Sequence, residues 1–272
     1  MQDGCTSFLF SPHRLGRNIS PHMPAPHVSM MAPTSPAGVA GRLSRRPLYV
    51  GLSVLMAAIA IVGFWVTYFG PLAGGVSGHS MLIHVHAAVF VGWLALFLVQ
   101  ALLAASRRVK AHVALGRIGI GYGVLLVFVG VWTTISRSAE HMRSGGPGEG
   151  LLFVALLDMV IFAPLFATAI AYRRRPQVHK RLMVVAATML LVAAVGRFWF
   201  LPAPPLDLLV SSAIWFSPVL LAMTHDWMTA RRVHPVYLIG LGVFVVRLVS
   251  PGFVVGTAAW SSTARFIMSL AG

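Results

Sequence analysis

Charge is scarce in this chain. Only 10% of its residues are Asp, Glu, Lys or Arg, against about 25% in soluble domains. There is one cysteine, Cys5, which excludes a disulfide within the chain and argues against thiol-based metal or redox chemistry. No glycine loop ending in Lys-Ser or Lys-Thr is present to cradle a phosphate. His-Glu-x-x-His and nucleophile-elbow patterns are missing too, which disfavours a hydrolase. No catalytic residue is assigned from the sequence.

What the chain has instead is apolar length. Hydrophobic residues make up 57% of it, gathered in runs of the length that crosses a bilayer as a helix. The expected spans are residues 49–69, 81–105, 113–135, 151–172, 182–201, 206–223 and 236–249. A net charge of +15 would suggest nucleic acid in a soluble protein. Here the basic residues lie in short loops between apolar runs, so membrane orientation explains them and no nucleic-acid partner is expected. Arg42, Arg45, Arg46, Arg107, Arg108, Lys110, Arg117, Arg173, Arg174, Arg175, Lys180, Arg181, Arg231 and Arg232 fall on one side. Arg137, Arg143 and Arg265 fall on the other. The reading is an all-α, polytopic membrane helical bundle of about seven transmembrane helices, N-terminus cytoplasmic, in a bacterial inner membrane. Residues 1–41, rich in Pro, Ser, His and Met, are expected to be a disordered tail, with His13, His22 and His27 a loose histidine tract. Residues 42–250 form the transmembrane domain, and residues 251–272 are read as an extracytoplasmic C-terminal tail.

The second expected span carries a polar seam. On a helix, residues seven apart lie within about 20° of one face, so His86, Trp93, Gln100 and Arg107 align. Lipid does not tolerate such a stripe, which must face the bundle. His84 diverges from His86 by about 160° and is expected at headgroups or a neighbouring helix.

Three charged residues fall well inside the expected spans: Asp158, Arg197 and Arg247. At about 1.5 Å per residue, all three and His86 lie in the outer half of the bilayer. They suggest one outward-facing polar site built from His84 or His86 with Asp158, Arg197 and Arg247. A structural alternative is an Asp158–Arg197 ion pair, with Arg247 snorkelling to the interface.

A second constellation sits at the basic ends: His112, His179, His225, Asp226 and His234. Gly116, Gly119, Gly123 and Gly130 lie within about 40° of His112. His179 shares a face with Ala186, Ala193 and Arg197, five whole turns on at about 3.6 residues per turn. Small-residue stripes below two histidines suit either a haem held by two imidazoles or tight helix packing. No span carries the well-separated histidine pair of two-haem b-type cytochromes, so at most one haem per side could be held.

The segments HVHAAVFVGWLALFLVQALLAASRRVKAHVALGRIG and VHKRLMVVAATMLLVAAVGRFWF resemble a group of bacterial multi-pass membrane proteins of unknown function. The shared features are His, Trp and Gln on one span, a basic turn with His-x-x-Leu-Gly, and His-Lys-Arg-Leu-Met opening a later span. Similar His-Lys-Arg openings occur in small membrane proteins linked to cytochrome oxidase assembly. That resemblance implies a haem or copper connection and that His86, His112 and His179 matter together. The first functional expectation is therefore a haem- or metal-binding protein of redox or respiratory machinery, possessing haem b, with His112 and His179 as inner ligands and His86 as an outer one. Its partners would be the lipid bilayer and a respiratory membrane complex. A small-anion or proton-coupled transporter using His86, Asp158, Arg197 and Arg247 is the second, and a non-catalytic membrane subunit or assembly factor the third.

Overall fold

The computed structural model describes residues 45–76 and 78–271. The expected N-terminal tail, with His13, His22 and His27, lies outside them. Every regular element among the described residues is helical. Seven helices are long and apolar enough to span a membrane: α1 (Pro47–Ala73), α2 (Met81–Ala105), α3 (Val109–Arg143), α4 (Gly148–Arg174), α5 (Pro176–Val195), α6 (Leu206–Ala230) and α7 (Pro235–Val254). A shorter α8 (Ala258–Ser269) follows. The protein is an all-α, multi-pass membrane bundle.

One helix is central. In α5, 61% of the apolar window is buried, against 17–33% in the other six spans. It packs against α1, α4, α6 and α7, and Val184, Val185, Ala186 and Ala187 are wholly enclosed. Small side chains let neighbours approach closely. A Cβ on Gly63 of α1 would stand 2.3 Å from the Ala194 carbonyl oxygen, and one on Gly240 of α7 would stand 2.7 Å from Val185. Glycine is thus required at both helix crossings.

The boundaries of α5 differ from those expected. Pro176 occupies the first turn, where its missing N–H costs nothing, so the helix opens six residues before the expected 182. Its regular ladder is interrupted after Met189 and resumes for Val192–Val195. The indole of Trp215 donates to the Thr188 carbonyl at 2.9 Å, which also accepts from the Leu191 amide at 3.1 Å. Arg197 therefore lies beyond the last turn and does not continue the His179 face, as five unbroken turns would require.

Two buried ion pairs tie helices together. Asp158 of α4 takes both oxygens to Arg247 of α7, at 2.7 and 3.1 Å. Asp226 of α6 does the same with Arg181 of α5, at 2.8 and 3.0 Å. The first corrects both expected roles: Asp158 does not pair with Arg197, and Arg247, at 9% exposure, is no snorkelling side chain.

The expected C-terminal tail is also folded. Thr257 caps α8 by accepting from the Trp260 amide at 3.2 Å. Ala264 and Met268 are buried against Ala139 and Leu152 of α3 and α4, while the Trp260 indole donates to the Glu149 carbonyl at 3.0 Å. The Thr cap followed by apolar residues at 260, 264 and 268 is an amphipathic-helix pattern.

Candidate functional site

The polar seam of α2 faces two cavities. Gln100 and Trp93 line one of 310 Å³ at the basic end. Trp93 and His86 line one of 410 Å³ at the opposite, far end. Trp93 is 3% exposed and meets Phe162 and Phe166 edge-on, with centroids 5.5 and 5.3 Å away. Its indole belongs to both cavity walls. His86 Nδ1, Trp93 Nε1 and Gln100 Oε1 are buried without a protein partner. Buried polar atoms are normally hydrogen-bonded, so a row of such atoms along one face marks a surface built to meet something other than the protein's own groups.

In the basic-end cavity, α3 brings His112 with Gly116 and Gly119, and α5 brings His179. The imidazoles share an arrangement. His179 Nδ1 lies 2.7 Å from the Ala169 carbonyl oxygen, and His112 Nδ1 lies 3.3 Å from that of Gln100. A carbonyl only accepts, so each Nδ1 carries the proton and donates. Each Nε2 is left with its lone pair. Both rings are half-buried. The cavity reaches the surface at Ala104, which is exposed.

The glycine stripe of α3 divides between two uses. A Cβ on Gly123 would meet the Phe166 ring at 2.3 Å, and one on Gly130 would meet the Met159 sulfur at 2.6 Å. Those positions serve helix packing. Gly116 and Gly119 have room for a Cβ, with nearest atoms at 3.4 Å, and front the cavity.

The rest of the basic-end constellation separates. Asp226 is engaged by Arg181. His234 caps α7, its Nδ1 accepting from the Val236 amide at 3.3 Å. Both ring nitrogens of His225 are buried without partners, and it lines neither cavity.

At the far end, His86, Asp158 and Arg197 line one cavity. His86 stacks on Phe90 with centroids 4.2 Å apart. Arg247 reaches this site only through Asp158. His84 lies outside it, bonded to the Tyr68 hydroxyl of α1 at 3.0 Å. Thr133, Arg137 and His141 also line the cavity; of these only Arg137 was singled out in sequence, as a cation on the sparse side. They recur every fourth position along α3, a polar stripe hidden by ending that span at residue 135. The helix runs on to Arg143.

Among the described residues, no group of three or more His, Cys, Asp or Glu side chains is arranged to hold a metal ion. No family model matches the chain, and no curated protein or solved structure does either.

Proposed function

We propose that this integral membrane protein is a haem b protein of the redox or respiratory machinery of a bacterial inner membrane, its basic end in the cytoplasm. One observation carries the reading: His112 and His179, from different helices, front one cavity with Nδ1 committed to a backbone carbonyl and Nε2 uncommitted. Imidazoles that ligate iron or zinc are oriented by this kind of second hydrogen bond. His112 and His179 would hold a haem through these nitrogens, and a bound haem would supply one-electron chemistry.

The surroundings agree. Gly116 and Gly119 leave space for a flat ring. The opening at Ala104 lets the edge of a macrocycle larger than the enclosed volume reach the surface. Lys180, whose Nζ stands 4.9 Å from the Tyr49 ring centroid, provides a cation for a propionate. His86 lines the other cavity, so it serves as no third ligand to this site; the two further imidazoles lining that cavity, His79 and His141, are exposed, whereas His112 and His179 are half-buried. The half-buried pair at the basic end is the better enclosed of the two histidine sets.

The resemblance to membrane proteins linked to cytochrome oxidase assembly favours the same chemistry and a respiratory partner. A transport role would rest on Arg197 and His86, since Asp158 and Arg247 are engaged with each other. The test is an absorbance spectrum of protein purified from haem-replete cells. The expected result is a Soret band with low-spin reduced features, lost in His112→Ala and in His179→Ala while both variants remain folded. A colourless, folded preparation would end the reading; one that co-purified with a partner would point to a non-catalytic subunit instead.

A further inference from the structure

We propose that the far-end cavity is a binding site for a small organic monocarboxylate, gripped by Arg197, with its apolar body against the aromatic wall. This is independent of the haem reading, which concerns the opposite end of the bundle.

The charge count comes first. The ionised side chains lining the cavity are Arg137, Asp158 and Arg197. Arg137 is paired with Glu140. Asp158 is paired with Arg247, which stands behind it. Arg197 has no carboxylate partner among the described residues. One of its guanidinium nitrogens donates to the Ala193 carbonyl, and the group lies over the Phe64 ring, 4.9 Å from its centroid. An arginine has five N–H donors, so most of this fork is uncommitted. The cavity therefore holds one surplus positive charge, which a monoanion neutralises and a dianion would overshoot.

The lining sets the rest of the ligand. Thr133 Oγ and His86 Nδ1 are buried without protein partners, and both border the cavity. They lack the bonds that buried polar atoms normally make, and a ligand carboxylate and its bound water can supply them. Phe64, Phe90, Leu94 and Met159 form the apolar part of the wall. A hydrated inorganic ion gains nothing from that surface and loses hydration beside it. An organic carboxylate gains from both parts: the guanidinium fork matches its two oxygens, and its body leaves water. Arg197 and His141 line the cavity and are exposed, so the opening carries a positive charge that favours entry of an anion.

The test is calorimetric titration of the purified full-length protein in nanodiscs, using benzoate and hexanoate as probes. Benzamide is the neutral counterpart of benzoate. Saturable binding of at least one carboxylate is expected, with benzamide about tenfold weaker or worse. Arg197→Gln should lose about tenfold or more by the same measure. Thr133→Val keeps shape and removes only the hydroxyl, and should lose severalfold. Arg117→Gln, a cation at the basic end, should change nothing. Should Arg197→Gln fail to fold, Thr133→Val decides. The proposal is overturned if folded wild-type protein binds neither carboxylate saturably, or if benzamide binds as well as benzoate. Unchanged binding in the folded variants, or an equal loss in Arg117→Gln, would overturn it too.

Discussion

Asp158 and Arg247 stand 89 positions apart in sequence and meet through two hydrogen bonds of 2.7 and 3.1 Å inside the bundle. Their side chains are 9% and 10% exposed, so each charge depends on the other. Losing one partner from a buried pair costs about 3–5 kcal/mol, whereas replacing both by apolar groups is often neutral or favourable. Asp158→Ala should therefore lower the unfolding midpoint in detergent sharply, and the double variant Asp158→Leu with Arg247→Met should recover most of it. Equal losses in the single and double variants would show that the pair is not the source of the effect.

Glycine is required at some helix positions and incidental at others. At Gly63 an added Cβ would meet the Ala194 backbone, with carbonyl oxygen, carbonyl carbon and Cα all within 2.9 Å. Backbone cannot rotate aside, so Gly63→Ala should cost about 1–3 kcal/mol, as overpacking does. At Gly121 nothing lies within 4 Å, and alanine is the better helix former by about 0.5–1 kcal/mol. Paired thermal-shift measurements should move in opposite directions.

His234 makes stability depend on pH. Burial, and after it the positive charge of Arg181, hold its imidazole below the ordinary value, and its Nδ1 must stay unprotonated to accept from Val236. The folded state thus binds this proton more weakly than the unfolded state. The contribution is fully present above about pH 6.5, the ordinary histidine value, and is lost as pH falls through the lower folded value. His234→Asn keeps an acceptor for the helix cap but does not titrate. Unfolding midpoints between pH 7.5 and 5 should decline less in this variant than in wild type. Parallel declines would rule His234 out.

Much of the architecture was legible because lipid imposes a simple requirement on composition. The span at 81–105 was read to the residue, and the seam through His86, Trp93 and Gln100 does face the interior. The partner of Asp158 was not legible: depth along a helix locates a charge, but only helix order around the bundle decides whether Arg197 or Arg247 stands opposite. The fifth span was misplaced because residues 196–201 are apolar enough to extend it. The helix ends instead at Val195, with Gly196 as its C-cap, and its earlier interruption coincides with a tertiary contact, the Trp215 indole on the Thr188 carbonyl. The stripe of Thr133, Arg137 and His141 was missed because a polar helix end reads like a loop. His112 and His179 were paired in sequence by their small-residue stripes, but the carbonyl partners that orient them come from α2 and α4 and leave no local signature.

Orientation can be checked with single cysteines in a Cys5→Ser background. Ser106 and Ser144 are exposed at opposite ends of α3. The proposed orientation, from the positive-inside rule, puts the basic end in the cytoplasm. In intact cells an impermeant maleimide should label Ser144→Cys readily and Ser106→Cys only after lysis. The reverse pattern would invert the bundle.

Trp93 is a single partition shared by two rooms. A substitution at that one position reshapes both enclosures at once. With the other six tryptophans replaced, its emission would report on that shared wall from either side.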